Sequence, residues 1–298
     1  MHIAFFGLGN MGNPMAVNLL KSGDYQLSVF DLDKSKAANL LRADDGNASA
    51  EWIDDIPATL ANADVIMSSL PGPVQIAAFA EQNVFLHAKT GATWIDLSTN
   101  NLATCQDLLA AATERGIDFL DSPVSGGDEG ARAGTLSIYV GGDQTAFEAH
   151  RDIYEVIGSN TKHLGQSGAG YAAKISQVVL CYLHSIALSE ALMLGVKAGV
   201  SASEMLDIIQ NSTGRSYVAD RYGPCMLNGD YDPSFALGLA LKDMRLAMEL
   251  AETLGITLPM SQLVTDIYQE ACETYGKDAN HLIAVKLLED ASGTLLRS

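Results

Sequence analysis

Apolar positions in the first half of the chain come in short runs, and those of the second half in long helical stripes. His2-Ile-Ala-Phe-Phe6 predicts a strand, a helical pattern follows through about Ser22, and Gln26-Leu-Ser-Val-Phe30 predicts a second strand. Further strands are predicted over 63–69, 91–96, 116–120 and 133–140, with a short one near Lys162-His163. Helical patterns fall between them, from about Pro73, over 102–115 and over 144–157. Strands alternating with helices imply βαβ units and a parallel sheet. From about 171 to 197 the pattern is helical and mostly apolar. Ile175, Val178, Val179, Tyr182, Ile186, Ser189 and Met193 form a roughly continuous face. Such a helix is too apolar for a surface, and predicts passage into a second core or a dimer interface. Later helices are expected at about 203–210, 234–254, 259–275 and 279–290.

Composition narrows the class. A chain of 298 residues with 48% hydrophobic content can build about two domains. Asp and Glu number 36 against 18 Lys and Arg, a formal charge of −18. That charge repels nucleic acid and anionic membranes, yet permits a small anion in a locally positive pocket. Cys105, Cys181, Cys225 and Cys272 lack metal-ligand spacing and read as free thiols. The opening residues read as a strand rather than a signal peptide, and no uninterrupted run of about 18 apolar residues is present. A cytoplasmic protein is expected.

Candidate chemistry sits at the ends of the predicted strands. Gly7-Leu8-Gly9-Asn10-Met11-Gly12 is a G-x-G-x-x-G motif between strand and helix. Its glycines allow a tight turn, close approach of a pyrophosphate and close helix packing. Asp31 ends the second strand, 19 residues beyond Gly12. There a carboxylate can accept bonds from the ribose hydroxyls of an adenosine, or simply serve a turn or helix cap before Lys34. It would repel a 2′-phosphate; no Arg follows at once, and Leu32-Asp33 keeps the charge negative, so NAD is favoured over NADP. Leu70-Pro71-Gly72-Pro73 and Leu97-Ser98-Thr99-Asn100 follow other strands, on the ligand side of such a sheet. Thr99 can offer a hydroxyl there or cap the next helix. Ser125-Gly126-Gly127 exposes two backbone N–H groups beside a hydroxyl, which suits a carboxylate or a flexible loop. Arg132 is expected in a surface salt bridge, His184 as a buried, hydrogen-bonded histidine, and Lys242-Asp243 at the cofactor side or as an exposed charge pair. Phe235 and Lys242 fall seven residues apart, on one face of a predicted helix.

Taken together, these motifs resemble the β-hydroxyacid dehydrogenases of the 3-hydroxyisobutyrate dehydrogenase type. The resemblance rests on Gly7-Leu-Gly-Asn-Met-Gly-Asn-Pro-Met15, Asp96-Leu-Ser-Thr99, Asp121-Ser-Pro-Val-Ser-Gly-Gly127, Gly134-Thr-Leu, Val140-Gly-Gly142 and Gly168-Ala-Gly170 before Lys174. Ser189-Glu-Ala-Leu and Lys242-Asp243 extend it, so that it runs from Ile3 to about Lys286. It implies an α/β fold with an N-terminal Rossmann-type doubly wound domain over 1–164. An all-helical domain over 165–298 follows and includes a long interdomain helix. It implies that Lys174 is the catalytic lysine, and that Ser125, Gly126 and Gly127 hold a substrate carboxylate. Met11, Asp31, Leu70, Pro71, Thr99, Phe235 and Lys242 become cofactor contacts, and homodimers or homotetramers the expected assembly.

Two departures stand out. The family places Asn four residues after the lysine; here that position is Val178, and Gln177 stands beside it. Gln177 is expected to replace the missing amide in part, or an ordered water to do so. Asn100 follows Thr99 where the family often has an apolar residue. The implied reaction is hydride transfer between a short 3-hydroxy acid and NAD, with Lys174 as general acid and base. Lysine titrates near 10.4 in water, so an efficient base needs a lowered value. 3-Hydroxyisobutyrate, oxidised to methylmalonate semialdehyde, is favoured. L-Serine or another β-hydroxyacid is the alternative, as is reduction of glyoxylate, succinic semialdehyde or tartronate semialdehyde. A non-enzymatic dinucleotide sensor is the reading from a different class.

Overall fold

The computed structural model describes residues 1–42 and 49–297. The chain forms two compact units, Met1–Lys174 and Ile175–Ser298.

In the first unit the order is β1 (His2–Phe6), α1 (Gly12–Ser22), β2 (Gln26–Phe30), β3 (Glu51–Trp52), α2 (Ile56–Asn62) and β4 (Val65–Ser68). Then come α3 (Pro73–Phe79), a π turn over Ala80–Val84, α4 (Phe85–His87), β5 (Thr93–Asp96), α5 (Leu102–Glu114) and β6 (Asp118–Asp121). These six strands make one parallel sheet in the order β3-β2-β1-β4-β5-β6. The chain winds outward from β1 in both directions, so the strand ends beside β1 open on a switch point where such sheets take ligands. Both faces are covered, as a parallel sheet requires. Ile3 and Phe5 belong to one core with Met15, Leu19, Leu27 and Val29. Ala4 and Phe6 point the other way, into a core with Ile66, Trp94 and Phe119. The period-two alternation of one strand thus feeds two layers. Trp94 is fully buried, its ring 4.9 Å from that of Phe119. Its indole N–H donates to Ser68 Oγ at 2.8 Å, which pays for the one polar atom it buries.

A smaller sheet follows, with β7 (Val124–Ser125), α6 (Gly127–Ala133), β8 (Leu136–Val140), α7 (Gln144–Ala149), α8 (Arg151–Ile157) and β9 (Gly158–His163). Its strand order is β7-β8-β9. The single helix expected over 144–157 is broken at His150, whose φ and ψ of −120° and 19° leave the helical region. Its imidazole Nε2 bonds Thr93 Oγ1 at 2.8 Å, which ties the break to β5. Elements of this unit not foreseen from the sequence include β3, α2, β7 and α6, which begins at Gly127 within the Ser-Gly-Gly segment.

Helix α9 (Ala169–Lys197) begins in the first unit and continues into the second. It has 29 residues, and an 18-residue window within it has a mean hydropathy of 1.7, long and apolar enough to cross a membrane, but half of that window is buried. Ile175, Val178, Val179, Tyr182 and Ile186 enter one core of the second unit, and Leu188, Leu192 and Met193 another. Its buried serine hydroxyls are satisfied along the helix: Ser185 donates to Cys181 O at 2.8 Å and Ser189 to Ile186 O at 2.7 Å. The helix therefore serves as a core element. His184 departs from expectation, being exposed rather than buried.

The second unit continues with α10 (Ala202–Gln210), α11 (Tyr217–Arg221), α12 (Gly223–Asn228), α13 (Leu237–Thr253), α14 (Pro259–Tyr275) and α15 (Val285–Ser292). Phe235 does not share a helical face with Lys242, because α13 starts only at Leu237. Ala236 instead forms a bridge with Asn280, and Phe235 O accepts from His281 N at 2.9 Å.

Candidate active site

The glycine loop joins β1 to α1, and each glycine has its own physical reason. Gly7 has φ +94°, and a Cβ there would lie 2.2 Å from Ser69 O. A Cβ on Gly12 would lie 1.9 Å from Gly7 O. Gly9 has open space within 4 Å of where its Cβ would be. The first and third glycines therefore serve packing, and the second leaves room for a ligand at the backbone. Asp31 closes the loop from the end of β2: its Oδ2 accepts from Leu8 N at 2.8 Å. Its Oδ1 accepts from Asp33 N at 2.9 Å and from Lys36 Nζ at 3.2 Å. Burial pushes this carboxyl up, but the bonds from Asp33, Leu8 and Lys36 outweigh it and hold the pKa below the ordinary value. The cap of the next helical turn is Asp33, not Asp31. The surroundings of Asp31 are also less negative than its immediate neighbours suggested, since Lys36 comes back to pair with it.

Leu70 and Pro71 follow β4, and Leu70 N donates to Ser98 Oγ at 2.8 Å. Thr99 is half-buried in the loop after β5 and is not the helix cap; Asn101 is, accepting from Thr104 N at 2.8 Å. Asn100 is fully buried, its Oδ1 accepting from Asn101 N at 2.9 Å while its Nδ2 has no hydrogen-bond partner among the described residues. Ser125 ends β7, and Gly126 and Gly127 have φ of +134° and +64°. A side chain would be strained at either glycine, so the exposed backbone there is built in. Arg132 stands 3.6 Å from Asp128 at the surface.

Sequence reasoning assigned no role to the buried carboxylates at the ends of β5 and β6. Asp96 is fully buried; its Oδ1 accepts from Ser68 Oγ at 2.7 Å and Ser98 Oγ at 2.6 Å, and its Oδ2 from Tyr171 OH at 2.5 Å. Burial raises its pKa against the pull of those hydroxyls. Asp121 Oδ1 accepts from Gly168 N at 2.8 Å and its Oδ2 from Tyr171 N at 3.1 Å. Burial pushes its pKa up to about 6 although backbone N–H groups bond it. The signal available was an Asp closing two successive parallel strands, each quoted motif beginning with one. Lys174 follows on α9, half-buried, one helical turn after Tyr171.

The loop after β1, Asp31, Leu70, Pro71, Thr99 and the Ser125–Gly127 segment thus all follow carboxyl ends of strands in the first unit. Gln177, Phe235 and Lys242 belong to the second. Gln177 is half-buried, whereas Val178 packs into the core. Phe235 is half-buried, its ring centroid 5.9 Å from that of His281. Lys242 Nζ stands 3.1 Å from Asp243 Oδ1, and Asp243 accepts from Tyr182 OH at 2.9 Å. The pair is not the exposed one considered from sequence, for Asp243 is buried.

Two family models match the chain: the NAD-binding domain of 6-phosphogluconate dehydrogenase over residues 2–165, and the NAD-binding domain of NADP-dependent 3-hydroxyisobutyrate dehydrogenase over 168–288. An NAD-dependent L-serine dehydrogenase of Pseudomonas aeruginosa is 36% identical, over 98% of this chain and 99% of its own. The chain belongs to the β-hydroxyacid dehydrogenase family. A second relative within it, the 2-(hydroxymethyl)glutarate dehydrogenase of Eubacterium barkeri, is 37% identical over 90% of this chain and 88% of its own. The solved structure of Mycobacterium tuberculosis 3-hydroxyisobutyrate dehydrogenase with L-serine superposes with a TM-score of 0.83 at 31% identity, covering 96% of this chain and 98% of that one. Membership makes this protein an enzyme, an NAD-dependent oxidoreductase acting on small hydroxy or oxo acids, and removes the sensor reading. The open space at Gly9 and the carboxylate at Asp31 fit a dinucleotide.

Proposed function

We propose that the enzyme oxidises a short 3-hydroxy acid, with 3-hydroxyisobutyrate the favoured substrate and methylmalonate semialdehyde the product. The observation that carries this reading is the positive-φ Gly126-Gly127 backbone beside Ser125, a carboxylate grip, in the same unit as the dinucleotide loop and Lys174. When bound, NAD supplies the hydride acceptor. The glycine loop holds its phosphates, and Asp31 its adenosine ribose, favouring NAD over NADP. Leu70, Pro71 and Thr99 complete its contacts within the first unit. Ser125 and the two glycine N–H groups hold the substrate carboxylate, which sets the distance to the reacting carbon. Lys174 takes the hydroxyl proton as hydride leaves and returns it in the reverse direction. Gln177 contributes the amide that Val178 cannot.

L-Serine is a second reading, favoured by the Pseudomonas aeruginosa relative and by the ligand in the Mycobacterium tuberculosis structure. Reduction of an oxo acid is a third, since 2-hydroxy-3-oxopropionate reductase of Escherichia coli is 31% identical. A panel of these acids and aldehydes, with NAD and NADP in both directions, decides among them. 3-Hydroxyisobutyrate is expected to show the highest kcat/KM with NAD, and a higher value for serine or an aldehyde replaces it. Lys174→Ala is expected to lower kcat by at least about 100-fold while NAD still binds. Retention of full turnover removes the proton role. A cytoplasmic homodimer or homotetramer is the expected form, and light scattering measures the assembly.

A further inference from the structure

The start of α9 is seated on one buried carboxylate. Asp121 bonds two of its leading N–H groups, those of Gly168 and Tyr171. The fit allows no side chain: a Cβ on Gly141 would lie 2.6 Å from Asp121 Oδ1, and one on Gly170 would lie 2.8 Å from Oδ2 and 2.3 Å from Tyr139 O. Gly168, at φ +95°, completes the cradle. Leading N–H groups of a helix otherwise lack partners, and a carboxylate from another strand supplies them here. The second tether is Tyr171, whose hydroxyl reaches Asp96. Asp96 also binds Ser98, which in turn accepts from the backbone of Leu70. A continuous run of bonds therefore joins the loop after β4 to the turn of α9 that carries Lys174. All of these residues lie in the first unit.

We propose that Asp121 and Asp96, the latter through Tyr171, are positioning residues that fix the axial place and rotation of the first turn of α9, and with it the Lys174 amine. This rests on Lys174 being the proton-transfer group. A side chain three residues beyond Tyr171 sits one turn along the same rod, so slack at Tyr171 moves the amine directly. Reacting groups displaced by about 1 Å lose up to about 100-fold in rate.

Two variants test it: Asp121→Asn, which keeps the volume but cannot accept both N–H groups, and Tyr171→Phe, which leaves the Asp121 cradle whole. The measurements are kcat and KM on the best substrate of the panel, NAD affinity by fluorescence, and amide exchange at Gly168 and Tyr171. Each variant is expected to lose about 10- to 100-fold in kcat, with KM and NAD affinity within about threefold. Faster exchange at the two amides is expected in Asp121→Asn. If Asp121→Asn fails to fold, Tyr171→Phe alone decides. A kcat within twofold of the parent in Tyr171→Phe, or an equal loss of NAD affinity and kcat in both variants, overturns the proposal. Lys174→Ala with undiminished turnover would instead sink the lysine reading on which it rests. Unchanged amide exchange in Asp121→Asn would overturn the anchor whatever Lys174 does.

Discussion

At the scale of single residues, three glycines of one motif are expected to behave differently. Gly7→Ala adds a Cβ against Ser69 O in a left-handed backbone and should cost about 1–3 kcal/mol of stability. Gly12→Ala should cost a similar amount, about 1–3 kcal/mol, through overpacking against Gly7 O. Gly9→Ala meets nothing in the protein and should leave Tm within about 2 °C, while weakening NAD binding about tenfold or more. Thermal melts beside cofactor titrations check the contrast; a Gly9→Ala protein that melts early assigns that glycine to packing after all. Asp31→Asn should narrow the preference for NAD over NADP about tenfold, about 1.4 kcal/mol, read as the ratio of kcat/KM values. The glycine loop and Asp31 were legible because spacing along the chain carries their chemistry. The pairing of Asp31 with Lys36 was not, since it depends on a short helical turn that the sequence reading did not include. Nor were the bonds from the Tyr171 hydroxyl to Asp96 and from the Gly168 amide to Asp121, which come from 75 and 47 residues away.

At the scale of elements, periodicity found the strands and the long helix because burial there follows one repeat. It missed the break at His150, where a side chain bonded to β5 overrides a helical pattern. It also placed Phe235 inside a helix, where a bridge to Asn280 delays the start to Leu237. The C-terminal end is held by chemistry that no pattern announces. Glu289 on α15 has a fully buried side chain; its Oε1 accepts from Arg297 Nη1 at 2.7 Å and Leu296 N at 2.8 Å, and its Oε2 from Tyr231 OH at 2.5 Å. Arg297→Ala strands that carboxylate and should cost about 2 kcal/mol or more, seen as a lower urea midpoint. An unshifted midpoint would mean water replaces the guanidinium at no cost.

At the scale of the whole molecule, the two units carry buried groups of opposite response to acid. Burial pushes Asp121 up to about 6, above the ordinary 3.8. Its share of stability is therefore complete below about 3.8 and is lost as pH rises through about 6. Burial pushes His281 in the second unit down from 6.5 against the raising effect of Asp232. Its share is present above 6.5 and is lost as pH falls below it. Amide exchange at pH 7 and pH 5 should therefore show the second unit loosening, with His281→Gln flattening that change. Equal loosening in the parent and the variant would assign it to other groups. Because the seam between the units falls at Lys174–Ile175 inside α9, recombination with a relative has a preferred crossover. A chimera joined near Gly165 imports a foreign helix start that must fit the native Asp121. One joined after Lys174, in helical phase, inherits the start and its seat from the same parent.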